Sequence, residues 1–507
     1  MKRGSIKNCI PTRATIWVMC FTCTLFLYMI RINLSIILLA MVEPQAGNES
    51  SVPECIRIQQ TQATQNSTAL PLVAQPDYGT RYDWDKKLQG LILSAYFWGF
   101  TLNGIPGGAL AEKFGPARCV TVSFLLSGLL TLLAPWAASL HYTLFIISRF
   151  LVGLLGGMVF PSLHCLVARW APPDEKGKFI GALLGGSLGT IITWPLLGAV
   201  IEKFGWAWAF FSSGSLVIAW TVSWWFCVTD SPEQHPRISE EEKRHIVDSL
   251  KGRISKVKAL PPYKDIFLCV PFWALICLHF GNLWGLFFLM TAGPNFLSTV
   301  LGFTLGHTGV LAALPYLARL VFGIIFGQLG DYIIKRNLMQ KTTIRKSFVL
   351  VSHILPGVLL LVQTLTGCNV TWAMVLITMS LGLNGASTLT NLQNSQDLSP
   401  NFAGTLYGIM NCIGSTTGFI NPTIVGYITA EKNGLSEWRT IFYLGSSVYI
   451  ASGILFYLFG TGETQSWNEA ESKGSDENNE SAGDGIENIG FDGIDSEKPD
   501  VVENTKI

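Results

Sequence analysis

Three arginines, Arg31, Arg149 and Arg319, lie inside long apolar stretches of this chain, and no aspartate or glutamate stands near the middle of any such stretch. A charged side chain at the centre of a bilayer costs roughly 2.5–3.5 kcal/mol on insertion scales, so it is normally kept for a solute or ion path. Arginine stays protonated, and its planar fork matches a carboxylate or phosphate through two parallel hydrogen bonds. The chemistry on offer is therefore recognition of an anion. In the first stretch Tyr28, Arg31 and Ser35 are spaced i, i+3 and i+7, which puts a cation and two hydroxyls on one helix face. The plainer alternative is an arginine bonded to backbone carbonyls. Arg149, about two turns from its helix end, has snorkelling as a further alternative, and Arg319 follows Pro315-Tyr316 midway along its own segment.

Other polar residues in apolar surroundings are candidates for coupling or gating. His164 and His279 have the one side chain whose ordinary pKa, near 6.5, allows a proton to be taken up and released at neutral pH, against the bland reading of packed histidines. Asn384, Ser387, Thr388, Asn391, Asn394 and Ser395 form a stripe at helical spacing, joined by Asn411 and Ser415 on the next segment. Neutral oxygens of this kind hold a hard cation such as sodium or bond one helix to another. There is no phosphate-cradling loop, no metal-ligand cluster, no nucleophile–base pair and no cofactor motif, so the chain reads as neither an enzyme nor an ATP-driven pump. Its energy source is then an ion gradient.

The elements that position these residues are membrane helices. Of 507 residues 49% are apolar and 14% charged, and the mean hydropathy is +0.38, outside the range of an ordinary soluble enzyme. Runs long enough to cross a bilayer fall at 15–42, 88–111, 118–139, 143–170, 179–201, 206–228, 266–292, 305–330, 346–366, 372–396, 403–429 and 438–460. The reading is an all-α integral membrane protein of twelve transmembrane helices. Lys and Arg concentrate in residues 1–14, in the turn at Lys113 and Arg118, around Arg169 and Lys176, in the linker 229–265 and around Lys335–Lys346, which places those parts and both ends in the cytoplasm. A cleaved leader is disfavoured, because 15–42 is too long and contains Arg31.

Glycosylation sequons at Asn48 and Asn66, in the outer loop 43–87, and at Asn369 fall on the opposite side, whereas the sequon at Asn33 lies within the first helix and should stay bare. Of eleven cysteines only Cys55 and Cys368 face that oxidising side, and sequence alone does not bring them within bonding reach. Residues 461–507, rich in acids, Gly, Ser and Asn, read as a disordered cytoplasmic tail. The chain also repeats itself: Gly108-Ala-Leu-Ala-Glu112-Lys113 ends the second segment as Gly327-Gln-Leu-Gly-Asp331 ends the eighth, and the glycine patterns of the fifth and eleventh echo one another. Two six-helix halves, 15–228 and 266–460, joined by the basic linker follow from this.

The turn Gly108, Glu112, Lys113, Phe114-Gly115 and Arg118 resembles the loop signature of the major facilitator superfamily, whose halves rock about a midplane site. Tyr28-Met-Ile-Arg31-Ile-Asn33-Leu-Ser35, Gly104-Ile-Pro106-Gly107-Gly108, Phe160-Pro161-Ser-Leu-His164, Trp170-Ala-Pro172-Pro173 and Asp397-Leu-Ser-Pro400-Asn-Phe-Ala-Gly404 resemble its anion:cation symporter family, which includes sialin, the vesicular glutamate transporters and sodium-dependent phosphate cotransporters. The resemblance, from about 15 to 468 and nearest to the phosphate cotransporters, implies that Arg31 contacts substrate and that Arg149 serves the same site. It also shows departures. Gly156 stands where sialin-like and vesicular relatives have a glutamate and Val152 where sialin has a second, so proton coupling through a carboxylate on the fourth helix is lost; Asn282 stands where vesicular glutamate transporters have an arginine, and both departures count against a vesicular glutamate carrier.

The expectation is a monomeric secondary-active carrier of a small anionic solute, inorganic phosphate or an organic anion, coupled to sodium by alternating access in the plasma membrane, with no nucleic-acid partner. The alternatives are a proton-coupled carrier of acidic sugars or organic anions in lysosomes, working through His164, and an anion channel or non-transporting sensor on the same fold.

Overall fold

The structure is a computed structural model that describes residues 11–43, 53–58, 77–104, 106–172, 179, 182, 185–250 and 261–469. The sequons at Asn48 and Asn66 lie outside the described residues. Twelve passes run up and down through one helical bundle. They are α1 (Thr12–Met41), α2 with α3 (Lys86–Gly104, Pro106–Phe114), α4 (Pro116–Leu140), α5 with α6 (Tyr142–Gly157, Val159–Trp170), α7 (Gly185–Phe204) and α8 (Trp206–Cys227). After a linker helix α9 (Glu240–Leu250) come α10 (Val270–Asn295), α11 (Leu305–Lys335), α12 with α13 (Lys341–Val349, Leu355–Gln363), α14 with α15 (Val370–Asn384, Gln393–Leu398), α16 with α17 (Ala403–Ser415, Thr417–Ile428) and α18 (Leu435–Phe459). Among the described residues nine stretches are long and apolar enough to span a bilayer. The second, fifth and eleventh passes fall short of that measure.

The interruptions have local causes. Pro161 has no N–H for the carbonyl of Gly157, and the helix divides at Met158. Thr416 and Thr417 turn their hydroxyls back onto Ile413 O (2.6 Å) and Gly414 O (2.8 Å), where α16 gives way to α17. Pro356 likewise leaves Ser352 O without its helical donor, next to a wide turn at Leu350–Ile354, and Asn384 Nδ2 donates to that carbonyl at 3.0 Å.

The helix ends that the sequence assigns to the cytoplasm are tied by charged side chains. Arg345, 3% exposed, donates to Asp397 Oδ2 (2.7 Å), Leu389 O (2.7 Å) and Gln393 Oε1 (2.8 Å). Arg345→Ala leaves that carboxylate without its partner and should cost about 3–5 kcal/mol, read as a lowered unfolding midpoint of the purified protein. Asp230 accepts from Ala117 N (2.8 Å) at the start of α4 and lies 4.0 Å from Arg118. In the linker, Glu242 accepts from Thr12 N (3.0 Å) and Arg13 N (2.9 Å), capping α1.

Two features correct or complete the sequence reading. The first residues of the tail are folded: Asn394 Nδ2 donates to Thr461 O (2.8 Å), Ser399 Oγ to Asn468 Oδ1 (2.6 Å) and Gln465 N to Leu398 O (2.9 Å), while Trp467 is buried beside Phe402. An apolar indole among many Gly, Ser and Asp residues escapes a composition argument. On the outer face Cys55 is bonded to Cys368, with Cα atoms 5.3 Å apart, and Glu54 accepts from Leu435 N (2.7 Å), so the short helical turn 54–58 rests on the C-terminal half.

The halves meet at their outer ends and part at their inner ends. Outside, α2 packs on α17, with Ser94 Oγ 3.0 Å from Phe419 O and 3.1 Å from Thr423 Oγ1. There α7 packs on α11, and Gly306 N donates to Glu202 Oε1 at 2.7 Å. Inside, a side chain built at Gly104, Gly327, Gly404 or Gly408 would meet nothing within 4 Å. With contacts between the halves at the outer ends through α2 on α17 and α7 on α11, the topology that the basic residues predict makes this an inward-facing conformation.

Candidate functional site

Arg31 lies where α1, α2 and α10 converge. It is 5% exposed, and its guanidinium carbon stands 4.4 Å from the ring centre of Phe287, 4.5 Å from Phe100, 4.8 Å from Phe97, 5.4 Å from Tyr28 and 5.8 Å from Tyr96. Ring faces steady a cation but accept no conventional hydrogen bond, and its Nε and Nη2 are buried without a partner. Arg149 is 1% exposed, so it does not snorkel; Nη2 donates to Ile30 O (3.1 Å) while Nε and Nη1 have no partner. Its guanidinium carbon is 5.9 Å from the Tyr96 ring centre, so both arginines lean on one tyrosine. Neither has a recorded acidic partner among the described residues. Buried charge in this condition is costly until an opposite charge arrives.

The remaining candidates divide. Tyr28 belongs to the cage, but Ser35 is occupied: its hydroxyl donates to Ile32 O (2.7 Å) and accepts from Trp194 Nε1 (3.0 Å). Arg319 sits apart, in the C-terminal half, where Nε donates to Asn384 Oδ1 (3.2 Å). That amide continues to Ser352 O, and Ser352 Oγ is 2.8 Å from His353 Nδ1, whose Nε2 is 3.0 Å from Leu278 O. This chain links α10, α11, α14 and the ninth pass. Sequence reasoning missed His353, which lies in an ordinary apolar run.

His279 is buried beside the Asn411 side chain, and neither ring nitrogen makes a hydrogen bond of full geometry. The Tyr407 ring stands between it and His164, at 5.9 Å and 6.5 Å, and His164 is exposed in the inner cleft. Asn282, one turn beyond His279, is buried with Oδ1 unpartnered. Asn391 takes a bond from Thr390 Oγ1 (2.9 Å), and Asn394 is committed through Nδ2 to Thr461 O (2.8 Å). Asn391 Nδ2 and Asn394 Oδ1 are nonetheless buried without a partner, so the stripe is only partly engaged between helices. Of the inner-turn residues, Gly108 approaches only Pro161, Lys113 lies over the Phe114 ring, Arg118 faces Asp230, and Glu112 and Asp331 are exposed. Asn369 is exposed at the start of α14 and accepts from Trp372 N (3.2 Å), which leaves its amide nitrogen outward of the cap.

Comparison with known proteins agrees with this architecture. Residues 61–422 match the family model described as Major Facilitator Superfamily. Sialin of Homo sapiens is 32% identical over 460 residues, covering 90% of this chain and 91% of that protein. A Drosophila melanogaster protein named "Putative inorganic phosphate cotransporter" is 32% identical over 477 residues (92% and 88%), and vesicular glutamate transporter 2 of Homo sapiens is 30% identical over 434 (84% and 72%). Among solved structures, a bacterial homologue of the human lysosomal transporter Spinster, inward-facing and occupied, aligns with a TM-score of 0.59 at 13% identity over 89% of this chain and 95% of its own. The inward-open xylose transporter XylE from E. coli gives 0.58 at 12% identity (88% and 95%). These relatives and neighbours are transporters and not enzymes. With twelve helical passes and buried arginines among them, the chain is a multi-pass membrane protein that belongs to the major facilitator superfamily, in the group of sialin, the phosphate cotransporters and the vesicular glutamate transporters.

Proposed function

We propose that this protein is a secondary-active carrier of a small anion, inorganic phosphate or an organic anion, bound at Arg31 and Arg149 and moved by alternating access. One observation carries the reading: two buried guanidinium groups beside one tyrosine, each with unpartnered N–H groups and no recorded carboxylate. The named substrates of its relatives, phosphate and glutamate, are anions. Apolar walls lower the local dielectric and so strengthen each charge–charge contact with a bound anion.

Sodium is the coupling ion in this proposal and the plasma membrane its site. Coupling to protons is a second reading, favoured by one observation, the buried ring of His279, whose nitrogens make no hydrogen bond of full geometry. Purified protein in proteoliposomes, given labelled phosphate or labelled succinate with sodium or choline outside at fixed pH, tests the first. Sodium-dependent accumulation above the equilibrium level is the expected result. Accumulation that follows an imposed pH gradient and ignores sodium moves the coupling to protons. Flux that only equilibrates makes the protein a channel and overturns the carrier reading. Surface biotinylation of intact cells tests the compartment.

A further inference from the structure

We propose that Tyr96 is a third ligand of the transported anion, its hydroxyl acting with Arg31 and Arg149, and that glycine at position 156 is what makes room for it. The inference rests on the anion-carrier reading and deepens it. Tyr96 is 2% exposed, and its hydroxyl is buried without a hydrogen-bond partner. A phenol in that position ordinarily finds one, so the structure leaves a donor waiting. The two guanidinium carbons stand 5.8 Å and 5.9 Å from its ring centre, which gathers five unpartnered donor atoms around one side chain: Nε and Nη2 of Arg31, Nε and Nη1 of Arg149, and the hydroxyl itself.

Helix α5 fixes this position. Gly153 meets the Tyr96 backbone directly, so α2 and α5 approach as closely as chains can, and one turn on Gly156 faces the hydroxyl. A Cβ at Gly156 would stand 2.8 Å from that oxygen. The hydroxyl borders a small cavity that Ser123 and Ser127 also line, so a single buried water is the competing partner. Two uncompensated cations in apolar surroundings are best met by two negative charges. The ligand class is therefore a doubly charged oxyanion, a dicarboxylate or a phosphate, over a singly charged one.

The test is anion binding to the purified full-length protein, read as the rise of its unfolding midpoint with concentration of phosphate, succinate or benzoate. Wild type should bind succinate or phosphate more tightly than benzoate. Tyr96→Phe should weaken the doubly charged anion by about 10–100-fold, the range for a hydrogen bond to a charged group, with the unliganded midpoint unchanged. Gly156→Ala should weaken it too, and should add little in the Tyr96→Phe background because both act on the same hydroxyl. Unchanged affinity in Tyr96→Phe, with binding lost in Arg31→Ala, overturns the role of Tyr96 and assigns its hydroxyl to the cavity water. Independent effects of the two substitutions overturn the role of Gly156, and tighter binding of benzoate overturns the charge class. Binding that survives in Arg31→Ala defeats the anion-carrier reading instead.

Discussion

Arg31→Ala should reduce anion uptake at least ~100-fold in cells that show the variant at the surface in wild-type amount, because it removes the charge and the fork together. The structure supports a loss of function without loss of fold. Arg31 accepts nothing, and two of its nitrogens make no hydrogen bond, so few protein contacts depend on it beyond the five rings. Removing an uncompensated buried charge lowers the cost of burial, so the unliganded protein should be no less stable, as read by its unfolding midpoint. Arg31→Lys is the sharper control. It keeps the charge but loses the planar fork, and the ring cage built around a guanidinium fits an ammonium poorly, so uptake should recover only slightly. Normal uptake by surface-expressed Arg31→Ala would remove Arg31 from the site.

Gly426→Val should arrest transport by the opposite route, through the conformational equilibrium. A Cβ at Gly426 would lie 2.6 Å from Lys86 O, and one at Gly90 would lie 2.5 Å from Pro422 O, so the outer closure is a contact of backbone on backbone. Overpacking of this kind costs about 1–3 kcal/mol, and because the contact exists only where the outer ends meet, the cost falls on the inward-facing state alone. The population should move outward by about tenfold or more. The readout is labelling of a cysteine introduced by Gly404→Cys, at a position that faces open space in the inward-facing state, with a thiol reagent applied from the cytoplasm. Labelling should fall in step with uptake when Gly426→Val is added. Gly404→Ala alone should leave this state undisturbed. Unchanged labelling in the Gly426→Val background would show that the outer ends close elsewhere.

Much of the architecture is legible in the sequence because the bilayer imposes its terms on each window of about twenty residues separately. The segment at 118–139 becomes α4 nearly as read, and the basic turn that holds Lys113 and Arg118 sits at the helix start where Asp230 meets it. Departures occur where a single backbone group decides. The run 143–170 is two helices because Pro161 withholds one N–H, and 403–429 is two because threonine hydroxyls compete for carbonyls. The folded root of the tail was hidden for another reason. Trp467 and Asn468 dock on the turn after α15, some seventy residues earlier in the chain, and composition carries no trace of a docking surface.

For the site the division is sharper. Hydropathy and charge belong to residues in their own windows, so the sequence by itself determined that this chain lies in a membrane and that its apolar segments hold positive charge without matching carboxylates, and it set the expectation for which way the chain faces. Which donors stay unpartnered depends on the carbonyl or amide that another helix brings near, and only the tertiary structure decided that. It placed Arg31 and Arg149 against Tyr96, gave Arg319 to Asn384 and Ser35 to Trp194, and set Gly156 opposite a hydroxyl. The physical reason is that a hydrogen bond saturates within about 3 Å, a distance fixed by how helices far apart in sequence pack, whereas the cost of placing a charge in lipid is set by the charge itself.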